Sequence, residues 1–300
     1  MPAVTEFADP QAVQQALAEQ DYLADDGLAA AVFLALRLRR PLFCEGAPGV
    51  GKTSLAQALA GVLGGEFVRL QCYEGIEATQ ALYDWDFPRQ LLHLRTVEAT
   101  GGIADVSATE HELYDRRFLR AGPVLRALET STEEHPTVLL VDEIDRADDE
   151  FEAFLLEVLS DYTVTIPELG PVRAESPPVV IITSNRTREV HDALKRRCLY
   201  HWLDLPGTEH EVAVLRRRLP DLPEKLARQV ATAVARARSL GLLKPPGLAE
   251  SLDWAQALQQ LGVVDLDSDA ARQTLGAVAK HREDLETLTS YGLDELVATS

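Results

Sequence analysis

Eight consecutive residues, Gly46-Ala47-Pro48-Gly49-Val50-Gly51-Lys52-Thr53, have the spacing GxxxxGK[ST], and their chemistry is that of a phosphate site. Glycines let backbone N–H groups turn inward around phosphate oxygens. A helix opening at Lys52 adds unpaired N–H groups and the positive end of its dipole. The Lys52 ammonium reaches β- and γ-phosphates, and the Thr53 hydroxyl can ligate Mg2+. With Ser54 these residues form the candidate nucleotide-binding set, and ATP with Mg2+ are the expected cofactors. The bland alternative is a glycine turn that binds nothing. It is disfavoured because a strand candidate precedes the loop and a strong helix pattern follows it.

Three further groups fit the same chemistry. Val138-Leu139-Leu140-Val141 is followed by Asp142-Glu143, two carboxylates at the end of a buried-strand run. In α/β folds ligands bind at that edge. Asp142 would hold Mg2+ through its water shell, and Glu143 would polarise the attacking water. Taken alone, such a pair is a solvated turn. Next, 179–182 is a buried-strand run followed by Thr183-Ser184-Asn185, where the Asn185 amide can hold the attacking water or the γ-phosphate. Its plain reading is a turn or an N-cap. Last, Arg196-Arg197 close a helix candidate over 191–197. Cations are favourable at a helix C-terminus in any case. The functional reading is an arginine finger, preferentially Arg197, that stabilises transition-state charge in a neighbouring subunit's site.

These groups need a scaffold, and the chain supplies the pattern of one. Short apolar runs at 42–45, 67–70, 138–141, 179–182 and 200–205 alternate with helix patterns at 52–63 and 149–159. Strands interleaved with helices predict a parallel sheet covered on both faces. Two helix patterns, 10–19 and 27–40, precede the first run. Beyond 205 no buried-strand run occurs, and 208–219, 222–240, 247–261 and 267–281 read as helices. The expected organisation is an N-terminal helical segment over 1–40, packed on the core, an α/β domain over 41–205 and a helical domain over 206–300. Two stretches interrupt the α/β pattern. Residues 84–110 read as a long loop, and 160–178 as a proline-rich segment that could form a hairpin.

Composition narrows the class. With 29 Lys+Arg against 48 Asp+Glu the net charge is −19, which argues against a nucleic-acid backbone as the main partner. The longest apolar run, 29–36, is far short of the roughly 20 residues that a membrane-spanning helix needs. The N-terminal MPAVTEFADP has no basic or apolar signal region. Three scattered cysteines predict neither a disulfide framework nor a zinc site, and fit a reducing, cytoplasmic setting.

The four elements, in this order and with a helical C-terminal domain, resemble the AAA+ ATPases. The wording FCEGAPGVGKTSLAQALA, FVRLQCYEG, VLLVDEIDRADDEFEAFLLEVL and IITSNRTREVHDALKRRCLYHWLDLP resembles the MoxR family. The last stretch, with YDWDFPRQLL, is most similar to the CoxD-like branch, accessory ATPases of carbon monoxide dehydrogenase. The resemblance implies a P-loop NTPase fold with a five-stranded parallel sheet of order 5-1-4-3-2, a helical lid and a ring, usually a hexamer. It assigns the nucleotide loop to 46–53, the metal acid to Asp142, the catalytic glutamate to Glu143, the first sensor to Asn185 and the finger to Arg197. It implies a partner with a von Willebrand factor A domain and a chaperone role in maturing a metalloenzyme client, with 84–110 and 160–178 as insertions where partners bind. One departure stands out. The family often carries a second-sensor arginine at the start of a lid helix, where this chain has Ala249 and Glu250, with Lys244 as a substitute candidate.

Other residues leave alternatives open. Cys198 beside two arginines is either a thiol of lowered pKa or a small buried residue. Trp85 between Asp84 and Asp86 is either a partner anchor or local packing. Asp145-Arg146 is either an interface pair or a surface salt bridge. Glu110-His111-Glu112 is either a cation site or a solvated loop. Two other functions are consistent with a phosphate loop: a non-hydrolysing nucleotide-dependent scaffold, which the missing second-sensor arginine favours, and a small-molecule phosphotransferase, which leaves Asn185 and the arginine pair unexplained.

Overall fold

The computed structural model describes residues 7–99 and 112–298. Nine strands occur among the described residues: β1 (Leu42–Gly46), β2 (Phe67–Gln71), β3 (Tyr83–Trp85), β4 (Leu119–Ala121), β5 (Val138–Asp142), β6 (Thr163–Ile166), β7 (Gly170–Arg173), β8 (Val179–Ser184) and β9 (Leu199–Leu203). Five of them form one parallel sheet in the order β2-β5-β8-β1-β9, with helices around it. This is the order the resemblance implies. Every residue of β1 and β5 is buried, which is why both read as unbroken apolar runs rather than alternating ones. Strand β2 lies at the edge and does alternate: Val68 and Leu70 are buried, while Arg69 is exposed.

Local chemistry sets the helix ends. The helix Asp26–Leu38 starts where the Asp25 carboxylate accepts from Leu28 N at 2.7 Å, and it ends at Arg39 in the left-handed region. The helix Asp149–Asp161 starts likewise at Asp148, with Asp149, Glu150 and Glu152 in its first turn facing the positive dipole end. The helix Lys52–Leu63 has the bounds its pattern predicts.

The chain divides into two compact units. One comprises the chain up to Ala16 with Asp25–Cys44 and Ala56–His201; the other comprises Leu17–Ala24, Glu45–Leu55 and the chain from Trp202 onward. The core of the first joins Phe43, Val68 and Leu70 to Leu125, Leu139, Val141, Phe151 and Ile182. The second is helical beyond β9: Thr208–Arg218, Glu224–Arg238, Leu248–Gln260, Ser268–Thr274, Arg282–Tyr291 and Leu293–Val297. Trp254 is its largest buried side chain, and its indole N–H donates to Thr274 Oγ1 at 2.7 Å. A buried tryptophan needs that partner for its one polar atom.

Several expectations change. The long loop expected at 84–110 is a helix over Phe87–Ala99 after the short strand β3. Its polar sequence leaves Phe87, Leu91 and Leu92 exposed, so no apolar face announced it. The remainder of that stretch, and with it Glu110-His111, lies outside the described residues. Residues 160–178, by contrast, contain the hairpin the sequence allowed, an antiparallel pair of β6 and β7. The helix expected over 267–281 stops at Thr274, followed by a short 3-10 turn over Leu275–Ala277. Trp85 is an element of local packing: it is buried and meets Tyr114 and Tyr83 edge-on at 5.2 and 6.0 Å between ring centres. Among the described residues, no helix is long and apolar enough to cross a membrane.

Candidate functional site

The glycine loop leaves β1 and enters the helix Lys52–Leu63. Gly49 and Gly51 have φ of +78° and +96°, a conformation that side chains rarely adopt, which is why glycine is needed at both. Lys52 is buried, and its Nζ donates to the carbonyls of Gly46 at 2.6 Å and Ala47 at 2.8 Å, so the loop wraps its own ammonium.

The start of the helix Leu248–Gln260 belongs to the same unit and touches this loop. Ala249 N donates to Gly49 O at 3.2 Å, and a Cβ on Gly49 would sit 3.1 Å from Glu250 Oε2. Glu250 also accepts from Gly247 N at 2.9 Å, and Lys244 Nζ lies 3.2 Å from its other oxygen. Glu250, one of the two residues expected at the second-sensor position, is therefore a carboxylate with Lys244 bound to it. A buried network fixes this segment. Glu211, fully buried, accepts from both terminal guanidinium nitrogens of Arg238 at 2.8 and 3.0 Å and from the Ser251 hydroxyl, and Arg238 Nε donates to Pro246 O at 2.8 Å. A buried charge pair is stable only when its remaining hydrogen-bonding capacity is met, and here it is.

The acidic group in the other unit is built from three strands. Asp142 ends β5 and is buried. Thr183 of β8 donates to Asp142 Oδ1 at 2.5 Å and accepts from Glu143 N at 2.9 Å. Arg69 of β2 meets Asp142 Oδ2 at 2.6 Å through Nη2 and at 3.0 Å through Nε. Glu143 follows with φ +56°, a strained conformation for a non-glycine residue. Its carboxylate accepts from Asn185 Nδ2 at 3.2 Å and Gln71 Nε2 at 3.1 Å, and Arg146 Nε lies at 2.8 Å. The structure thus brings Asp142, Glu143 and Asn185 together. It adds Thr183, Gln71 and Arg69, which the sequence reading did not single out. The available signal was an arginine and a glutamine alternating with buried residues along β2.

Asp145 and Arg146 do not pair with each other. Asp145 is buried and accepts from Asn185 N at 3.2 Å, Thr187 N at 2.8 Å and Thr187 Oγ1 at 2.6 Å, while Arg146 goes to Glu143. Burial would raise the Asp145 carboxyl, but the hydrogen bonds from Thr187 and Asn185 hold it below the ordinary aspartate value. Within the chain this dipeptide is not a surface salt bridge, and Asp145 has a role of its own. Asp145 fastens the loop that carries Asn185 to the turn that carries Glu143. Glu152, also buried, reinforces the same loop by accepting from His191 N at 2.7 Å and from Arg188.

Arg196 and Arg197 end the helix Asp192–Arg197, and both are exposed. Arg197 Nη1 donates to Ser160 Oγ. Arg40 caps this helix: its guanidinium donates to the carbonyls of Arg196, Arg197 and Cys198 at 2.8, 3.1 and 3.1 Å. Cys198 itself is buried, and burial pushes its thiol up to about 12 despite the lowering influence of Arg40. Cys72 is also pushed up to about 12, by burial and then by Asp142 and neighbouring carboxylates. The lowered-pKa reading of Cys198 is thereby overturned. At pH 8 a thiol with a pKa of about 12 is ionised to about one part in ten thousand, and only the thiolate reacts. All three cysteines are buried thiols outside any disulfide. Ellman's reagent at pH 8 is therefore expected to titrate no thiol in the folded protein and three after denaturation.

A parallel sheet with a glycine loop after one strand and a paired acid cluster after another defines a P-loop nucleotide-binding protein. Residues 41–198 match the AAA domain of the dynein-related subfamily, just over half of the sequence, and the chain belongs to this family. A Lon protease from Halothermothrix orenii is 32% identical over 133 residues, which is 42% of this chain and 13% of the length of that protein. Among solved structures, the RuvB Holliday junction branch migration motor of Thermotoga maritima is similar at 16% identity and a TM-score of 0.45, covering 96% of this chain and 72% of that one. A single-substitution variant of it, also at 16% identity, has a TM-score of 0.47.

Proposed function

We propose that this chain is a MoxR-type ATPase that hydrolyses ATP within a ring, as a hexamer, and uses the cycle to remodel a partner protein. In this reading 41–205 is the nucleotide-binding domain, 206–300 is the lid, and 1–40 is a helical segment of the core. The observation that carries it is the cluster of Asp142, Glu143, Thr183 and Asn185, in which the ends of the neighbouring strands β5 and β8 converge on two carboxylates. Membership in the AAA family implies nucleotide hydrolysis as a class property. Support also comes from topology, since the glycine loop and the acid pair follow two strands, β1 and β5, of one parallel sheet.

Loop residues Gly46, Ala47, Gly49, Val50 and Gly51 would present backbone N–H groups to the triphosphate, Pro48, which has none, would shape the turn, and Ser54 would sit in the first turn of the helix with Lys52 contributing charge. Thr53 and Asp142 would hold the metal, and their hydroxyl and carboxylate oxygens are the hard donors that Mg2+ prefers. Bound Mg2+ neutralises charge on the phosphate oxygens. Glu143 takes a proton from the attacking water, and the Asn185 amide orients that water. Arg197 completes the neighbouring protomer's site. The client would be a metalloenzyme awaiting its cofactor, presented with a von Willebrand factor A-domain partner, with no part played by nucleic acid or by insertion into a membrane.

A second reading has one specific observation behind it. Neither residue expected at the second-sensor position, Ala249 or Glu250, is an arginine, and Glu250 is tied to Lys244, which suits a nucleotide-dependent scaffold that does not hydrolyse. Phosphate release from ATP and Mg2+, measured alongside particle mass, separates the two. The ATPase reading expects turnover on the order of one per second or faster, confined to the assembled ring. A ring that binds ATP and releases no phosphate, with or without partner, would establish the scaffold instead.

A further inference from the structure

We propose that Arg69 is an internal counter-ion that competes with the divalent cation for Asp142 and, through Gln71, reports that occupancy to Glu143. The inference rests on the nucleotide reading above and concerns residues of one unit only. Strand β2 pairs in parallel with β5, which sets Arg69 level with Leu140 and Gln71 level with Asp142. Residues two apart on a strand share a face, so Arg69 and Gln71 project together. Arg69 grips Asp142 Oδ2 through two nitrogens, at 2.6 and 3.0 Å. Its Nη2 also donates to Gln71 Oε1. That bond fixes the amide: with Oε1 taken by Arg69, the Gln71 NH2 group turns to Glu143 Oε2 at 3.1 Å and Cys72 O at 3.3 Å.

Burial makes the arrangement intelligible. The Asp142 side chain is 5% exposed and the Arg69 side chain 47%. A buried carboxylate without a cation or donors is costly, and Arg69 with Thr183 supplies them. The guanidinium has solvent beside it into which it can withdraw. A dication arriving at Asp142 repels Arg69, and withdrawal of Arg69 removes the partner that holds the Gln71 amide on Glu143. The chain thereby couples the filling of its metal site to the release of its catalytic carboxylate.

The test is a Mg2+ titration of the full-length protein with a fluorescent ADP, read by fluorescence and by the thermal midpoint. Arg69→Ala is expected to reach half-saturation at roughly two- to fivefold lower Mg2+ than wild type, the range for a partly exposed charge pair. Chelation of Mg2+ by the free nucleotide is common to both proteins and cancels in the ratio. Arg69→Lys keeps a charge for Asp142 and is expected to stay near the wild-type midpoint. Arg69→Gln serves in place of the alanine variant should that one not fold. An unchanged or higher Mg2+ midpoint in the neutral variants, with wild type binding ADP and hydrolysing ATP, overturns the inference alone. Wild type that binds no ADP at any Mg2+ concentration overturns the nucleotide reading and the inference with it.

Discussion

Glu143→Gln is expected to abolish ATP turnover and to leave nucleotide binding at the wild-type level. The substitution removes proton acceptance and the oxygen, Oε2, that accepts from Gln71 Nε2 and faces Arg146. The glutamine carbonyl can still accept from Asn185 Nδ2, now at 3.2 Å from Glu143, and the left-handed backbone at this position is unaltered in its demands. The ion pair with Arg146, whose side chain is 56% exposed, is lost, and exposed pairs contribute about 0–1 kcal/mol. Loss of a general base costs about 10²- to 10⁴-fold in rate. Phosphate release and fluorescent-ADP binding, measured on the same preparation, check both halves. Turnover within a factor of about two of wild type would remove Glu143 from the mechanism. If the chain works as the proposed ring, the arrested protein held in ATP is also the form suited to capturing a partner.

Arg197→Ala is expected to abolish turnover in the assembled ring with no loss of nucleotide affinity. Arginine fingers contribute about 10³- to 10⁵-fold to rate. The side chain is exposed and rests on Ser160, while Arg40 holds the carbonyl end of its helix, so truncation leaves the backbone supports in place. Mixing gives the sharper result. Arg197→Ala protomers retain Glu143, and Glu143→Gln protomers retain Arg197. If the finger acts across a subunit boundary, mixed rings contain some complete sites and recover part of the activity that each variant lacks alone. No recovery on mixing, in rings shown by mass to contain both variants, would place Arg197 outside the neighbour's site. Arg196→Ala is the matched control and is expected to retain turnover.

Much of this protein is legible without coordinates. The glycine loop, the acid pair after an unbroken apolar run and the helix Lys52–Leu63 are local features. Their residue types state their conformation, through positive-φ glycines, a strand buried on both faces and an uninterrupted helix pattern. The order of elements was likewise readable from the alternation of runs. The helix Phe87–Ala99 was not, because half of the periodic signal is missing when apolar residues face solvent. Neither was the fate of Trp85, since a tryptophan between two aspartates has the same sequence context whether it is buried or exposed.

What the linear chain determined, then, is the identity of the chemical groups and the strand or turn that bears each one, because backbone preference and burial pattern act over a few residues. What only the tertiary structure decided is which groups touch. Glu143 meets Gln71 from 72 positions away and Asn185 from 42, and Asp142 meets Arg69 from 73. Those meetings follow from the register of β2, β5 and β8, and register is fixed by packing of the buried faces rather than by any property of the residues that it brings together. Asp145 shows the consequence: its sequence neighbour Arg146 looked like its partner, yet its carboxylate is taken by Asn185 and Thr187, delivered by the adjacent strand.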